Sequence, residues 1–196
     1  MIKTVMKLDA DRIVMEACYS SNYWGREFQA LGKKVDLIPP YQVKPLVVEN
    51  KNDANDAVAI GEASYRPKTV FVPVKSISQQ DTQCLHRIRE RAVKTRTAVA
   101  NQMRGLLSEY DIVLPKKMSV LRKEVPFVLE DAEKPLSTTA RSFIADLYDE
   151  LIVHDKQIKR QELALKALLI NDDNYQRICQ TPGIGPQVVR TAGWAV

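Results

Sequence analysis

Leu147, Leu151, His154, Ile158, Gln161, Leu165 and Leu168 follow one another at alternating steps of four and three within residues 137–169. Such a run is a heptad seam, one narrow stripe of a long helix pressed against a partner. His154 and Gln161 interrupt the leucines, and polar seam positions cost stability but fix register. The spacing predicts an antiparallel helical arm or a dimerising coiled coil, with a plain bundle helix as the alternative. A second amphipathic helix is predicted over 81–110, where Cys84, Ile88, Ala92, Thr95, Val99, Met103 and Leu106 recur every three or four residues. Ser76 or Ser78 is its candidate cap. Between the two helices, Pro115, Pro126 and Pro135 are expected to bracket at most a short helix.

The preceding residues follow a different pattern. Ile13-Val14-Met15, Val35-Asp36-Leu37-Ile38 and Thr69-Val70-Phe71-Val72 have the composition of strands, the last stopped by Pro73. Helices are expected over 23–31 and 53–64, with Gly32 at the first one's C-terminal stop. Strands alternating with helices imply a mostly parallel sheet. The fold class is therefore α/β followed by all-α, with residues 1–75 as the α/β part, 76–170 as a helical arm and 171–196 as the start of a further domain.

A net charge of +5 and a pI near 9.1 suit an acidic partner such as nucleic acid, and suit many cytosolic proteins equally. Cys18, Cys84 and Cys179 are too scattered for a zinc site or a disulfide framework and read as reduced thiols. No apolar run approaches the roughly 18 residues of a membrane helix, and the N-terminus lacks a signal-peptide core. The expected location is cytoplasmic, with no membrane contact.

Two constellations could carry chemistry. In Lys51-Asn52-Asp53-Ala54-Asn55-Asp56 the two carboxylates stand three apart and share one side of a helix start. Capping and complementing the helix dipole explains them without a ligand. Glu16, at the end of a strand, could converge with them as a third hard oxygen donor of the kind Mg²⁺ prefers. The second constellation is basic: His86, Arg87, Arg89, Arg91, Lys94, Arg96 and Arg104 crowd one helix against Glu90 and Glu109. A solvated face accounts for part of this, while the preference for Arg favours phosphate. Further on, Thr181-Pro182-Gly183-Ile184-Gly185-Pro186 is either a structural turn or a backbone cradle for phosphate.

In order, Val14-Met15-Glu16-Ala17-Cys18, Tyr23-Trp24, Leu37-Ile38-Pro39-Pro40, Val43-Lys44-Pro45, Asn50-Lys51-Asn52-Asp53-Ala54-Asn55-Asp56-Ala57, Phe71-Val72-Pro73-Val74-Lys75, Ile112-Val113-Leu114-Pro115 and Pro182-Gly183-Ile184-Gly185-Pro186 resemble the bacterial insertion-sequence transposases related to the Piv DNA invertase. The resemblance implies an RNase H-type, RuvC-like domain holding Mg²⁺ on four acids in the order Asp, Glu, Asp, Asp. It also implies a serine nucleophile in a C-terminal domain, and a structured guide RNA. Position by position, the second acid falls on Glu16 and the last two on Asp53 and Asp56. Lys51, Asn52, Arg87, Arg89, Arg91, Lys94, Arg96 and Arg104 are then the candidate contacts to nucleic acid, and the arm implies a homo-oligomer.

The departures from the family pattern lie at both ends. Asp9 and Asp11 are too close to Glu16 to be the first acid, and the chain stops where the serine domain should start. The expectation is an incomplete RuvC-like domain with a helical arm, belonging to a DNA transposase that performs metal-assisted phosphoryl transfer but truncated and inactive alone. The alternative is a non-catalytic fragment that binds nucleic acid or dimerises.

Overall fold

A computed structural model describes residues 2–5, 7–8, 10–47, 52–170, 176–177 and 180. Lys51, Cys179 and the 181–186 turn lie outside the described residues. The chain divides into two compact units, one reaching Asp81 and the other starting at Thr82.

The first unit is a small α/β/α layer. A short helix α1 (Ile2–Val5) precedes β1 (Arg12–Glu16), which crosses over through α2 (Ser21–Ala30) to β2 (Lys34–Ile38). The strands are parallel and in register from Arg12 opposite Lys34 to Glu16 opposite Ile38. Alternation then assigns the faces. Ile13, Met15, Val35 and Leu37 meet Trp24 and Phe28 of α2. Val14 and Ile38 look the other way, onto Ala59 and Ala63 of α4 (Asp53–Tyr65), which follows α3 (Pro40–Val43) and a 3-10 turn at Lys44–Leu46. Arg12 and Asp36 share that second face and pair at 2.6 Å.

Gly32 fills the stop expected of it. At φ 78 it sits in the left-handed region, and the amides of Gly32 and Lys33 return to the carbonyls of Gln29 and Phe28, closing a Schellman end. The third strand is corrected. Residues 69–72 make a single antiparallel bridge, Val72 to Leu37, rather than a parallel strand. The cause lies partly outside the segment: the Gln42 side-chain amide takes both polar groups of the Val70 backbone, at 3.1 Å each, and Pro73 has no amide to continue a ladder. The segment is instead held by α2, where Asn22 accepts from the Lys75 amide at 2.9 Å and Arg26 donates to the Lys75 carbonyl at 2.8 Å.

The second unit is helical. α5 (Ile77–Ser108) starts earlier than its periodicity suggests, because Ser76 and Gln79 form a reciprocal capping box: the Ser76 hydroxyl accepts from the Gln79 amide and the Gln79 side chain from the Ser76 amide. It ends in a second Schellman turn, with Asp111 at φ 55 where glycine is usual and Ile112 bonded back to the Leu107 carbonyl at 3.1 Å. The proline-rich connector is the second correction: it contains a 13-residue helix, α6 (Met118–Glu130), with Pro126 inside. Proline removes the amide that would bond the carbonyl four residues back, and that carbonyl, on Arg122, accepts the Tyr148 hydroxyl instead at 2.9 Å. Arg141 caps the other end of α6, donating to the carbonyls of Val128, Leu129 and Asp131.

α7 (Thr138–Leu169) is capped by Ser137, whose hydroxyl accepts from the Ala140 amide. Of its heptad positions, Leu151, Ile158, Gln161 and Leu165 are buried within the chain, with Leu169 replacing Leu168 at the end as the 3.6-residue period drifts from seven. Met103 and Leu107 of α5, Leu121 and Val125 of α6, and Ala140, Ile144 and Leu151 of α7 form one core. Arg89 meets Glu162 and Arg96 meets Asp155, a step of seven up α5 matched by seven down α7, so the two helices run antiparallel.

A Cβ on Gly25 would lie 2.7 Å from Val74 Cγ2. Gly25→Ala should therefore lower stability by about 1–3 kcal/mol, even though alanine favours helix. In a Val74→Ala background the same change should cost clearly less, measured as urea midpoints in a double-mutant cycle; equal costs in both backgrounds would refute the close approach.

Candidate functional site

Of the three candidate acids, Glu16 and Asp56 lie on the sides of β1 and α4 that pack together, and Asp53 does not. Glu16 shares the face of β1 with Val14, the residue that packs toward α4. Asp56 stands three residues before the buried Ala59, extending the inward face of α4, and is half-buried; Asp53 is exposed. The local reason for the helix start is Asn52, whose side chain accepts from the Asn55 amide at 2.8 Å, leaving both aspartates free of capping duty in the first turn. Among the described residues these three carboxylates form no hydrogen bond or ion pair. Nor is any group of three His, Cys, Asp or Glu side chains gathered closely enough to hold a metal there. The donors have the hard chemistry that Mg²⁺ requires, but as placed they do not fit a three-carboxylate centre.

The basic cluster separates into two sets. Arg89, only 15% exposed in its side chain, is held by Glu162 at 2.5 Å, and Arg96 by Asp155 at 3.1 Å. Arg104 donates to the carbonyls of Pro115 and Lys116, holding the turn before α6. Arg87 and Arg91 are exposed and make no ion pair among the described residues. Lys94, also exposed, has only Glu90 at 3.8 Å, a surface pairing of little weight. Positions 87, 91 and 94 follow the helical step and form one outward stripe on α5.

Sequence reasoning missed the strongest polar centre. Asp155 receives Arg122 from α6, at 2.7 Å to Oδ1, and Arg96 from α5. Burial alone would push the Asp155 carboxyl up, yet the hydrogen bonds from Arg122 and Arg96, with their charges, outweigh it and hold the carboxyl below the usual carboxylate range. The same bond raises Arg122 above its ordinary value against the opposing effect of burial. Asp155 flanks His154 of the heptad, which was its one legible sign; Arg122 lies in the segment expected to be a connector.

Membership of a family follows from comparison. The profile of the DEDD transposases of the IS110 type matches residues 2–112, which takes in the unit with the acids and all of α5. The chain belongs to that IS110-type transposase family. It is 40% identical over 184 residues to the transposase for insertion sequence element IS1111A of Coxiella burnetii, covering 94% of this chain and 50% of that protein. It is also 40% identical over 175 residues to a probable family 20 transposase of Pseudomonas aeruginosa, with 89% and 52% covered. The transposase for insertion sequence element IS1328 of Yersinia enterocolitica is 36% identical over 177 residues, with 88% and 51% covered. The chain thus spans about half the length of these relatives. No helix among the described residues is long and apolar enough to cross a membrane.

Because the folded-state pKa of Asp155 is depressed, its contribution to stability is complete above the ordinary aspartate value of about 4 and is lost as pH falls through the lower folded value. Asp155→Asn should cost about 2 kcal/mol at neutral pH, the scale of charged hydrogen bonds. The gap between the urea midpoints of the two chains should narrow progressively as pH falls below the ordinary aspartate value; a gap that stays constant down to the acid limit of folding would remove the triad from the account.

Proposed function

We propose that this chain acts in DNA transposition as a nucleic-acid-binding part of an IS110-type transposase. On this reading the first unit is RuvC-like, and α5 to α7 form a coiled-coil arm. The observation that carries it is the stripe Arg87, Arg91 and Lys94, whose charges the fold leaves available while it ties up Arg89, Arg96 and Arg104. Guanidinium groups without carboxylate partners favour phosphate, and their bidentate geometry suits it. The family and the names of its relatives make DNA the first ligand, with a structured guide RNA as the second. Oligomerisation, where it occurs, falls to the outer face of α7, since its seam is already occupied within the chain.

Metal-assisted phosphoryl transfer is the reaction this reading assigns to the assembled transposase, with Glu16, Asp53 and Asp56 as carboxylates of the acidic site. In the isolated chain those groups are not brought together, and it should leave duplex DNA uncut in Mg²⁺. Nicking that requires Mg²⁺ and disappears in Asp53→Ala would show that the chain assembles a working centre by itself.

Replacing Arg87, Arg91 and Lys94 together with Gln should weaken binding to duplex DNA and flatten the plot of log affinity against log salt by about 0.9 for each phosphate no longer neutralised. Arg89→Gln should act mainly on thermal stability, through its pair with Glu162. If the triple variant binds with unchanged affinity and slope in a fluorescence-anisotropy titration, the stripe is a solvated face.

A further inference from the structure

We infer that the free edge of β1 is a docking surface for a second copy of this chain, the two β1 strands pairing antiparallel across a two-fold axis at Val14. The inference rests on the strand itself rather than on the nucleic-acid reading, and it lies in the first unit, apart from the outer face of α7. Along β1 the backbone polar groups alternate between two edges. The Asp11 carbonyl accepts from the Lys34 amide at 2.9 Å and the Ala17 amide donates to the Ile38 carbonyl at 2.7 Å, so the odd residues bond β2. Arg12, Val14 and Glu16 turn theirs to the opposite edge. Among the described residues no strand meets that edge; the Glu16 carbonyl takes the Cys18 amide, while the three amides and the carbonyls of Arg12 and Val14 have no partner.

This edge lacks the usual protection. Edge strands are ordinarily blunted by proline, lysine, a bulge or a covering segment. Arg12–Glu16 contains neither proline nor lysine, and it pairs with β2 residue for residue without a bulge. The outer edge of β2, by contrast, is closed by the bridge from Val72 to Leu37, with Pro73 directly after it. Exposure follows the same division. Val35, Leu37 and Ile38 are buried, whereas Ile13, Val14 and Met15 are only half-buried. A sheet of two strands is marginal by itself, and joining two such edges makes one of four.

The strand's own sequence names its occupant. With Val14 opposite Val14 of the second copy, Arg12 falls opposite Glu16 and Ile13 opposite Met15. Every residue with outward polar groups then faces another, as the hydrogen-bonded pairs of an antiparallel ladder require. A slip of two residues sets Arg12 against Val14, and parallel pairing in register sets Arg12 beside Arg12. Charge selects the same arrangement. Glu16 has no cation paired to it among the described residues. Arg12, 37% exposed in its side chain, meets Asp36 through Nε, which leaves guanidinium donors for the Glu16 carboxylate of the second copy. Opposite charges so placed across a strand pair are stabilising. The contact uses one patch twice and closes at two copies, and it engages one of the candidate acids in a pairing between chains.

Sedimentation equilibrium of the full chain, free of nucleic acid, reads the association. The unaltered chain should form dimers, and Glu16→Lys should weaken them by about tenfold, because both Arg–Glu pairs become repulsions. Arg12→Glu should weaken them likewise. An equimolar mixture of the two variants should associate as tightly as the unaltered chain, since each strand then meets its complement. In hydrogen exchange the Val14 and Glu16 amides should slow as the unaltered chain is concentrated through its dimer range, and should not slow in Glu16→Lys; this readout decides the matter even where Arg12→Glu, which also loses its pair with Asp36, fails to fold. A chain that stays monomeric at every concentration overturns the inference. So do dimers that Glu16→Lys leaves unchanged, which would place the association on α7 or elsewhere, a mixture of folded variants that does not recover, or amides that exchange equally fast in monomer and dimer. DNA binding through the stripe on α5 is read separately and stands or falls by its own titration.

Discussion

Asp155 is the point at which three helices are fixed to one another. Its carboxylate takes a guanidinium from α5 and another from α6, while its own helix contributes Ile144 and Leu151 to the apolar core they share. Two cations around one partly buried anion resolve a desolvation problem that either pair alone would meet less well, since each added donor satisfies another lone pair. The core packs on one side of this centre. Along the other, α5 and α7 meet through Arg89 and Glu162, with Thr82, His86 and Gln161 buried nearby in sequence. Arg96 Nε, His154 Nδ1 and Gln161 Oε1 are buried there with no partner. Such a seam is poor as a source of stability and good as a source of register, because a slip along either helix would break ion pairs spaced by seven.

The first unit is organised by alternation. Odd positions of β1 and β2 are covered by α2 and even positions by α4, so Glu16 reaches the α4 side for the same reason that Val14 does. A sheet of two strands has little to hold it by itself. The packing of Gly25 against Val74 and the bonds from Asn22 and Arg26 to Lys75 bind the returning chain to α2 and complete the covering of one face.

Where the sequence carried a periodic signal, it was sufficient. The two strands, Gly32, the Ser76 cap and both long helices were all visible as local patterns, because each is decided by residues close in the chain. Failures came where a distant side chain supplied what the local pattern lacked. Pro126 reads as a break until Tyr148 provides a donor for the carbonyl it orphans. Residues 69–72 read as a strand until Gln42 takes the groups a neighbouring strand would use. The acids were legible as residues but not as a site, since spacing places Asp53 and Asp56 on one helix and says nothing of their distance from Glu16.

Charge shows the same division with a consequence for function. Seven basic positions on one helix look equivalent in sequence, and the fold distinguishes them by what α7 and the turn after α5 present. Glu162 and Asp155 engage Arg89 and Arg96, and two backbone carbonyls engage Arg104. Those cations are committed to structure, and removing any of them perturbs helix packing before it perturbs binding. His86, the seventh, is buried; what remains, Arg87, Arg91 and Lys94, is a smaller set than composition implies, but it lies on one face, and a line of cations at helical spacing can follow a phosphate backbone. Affinity from that stripe is blind to sequence. Any preference for bases must come from another part of the surface.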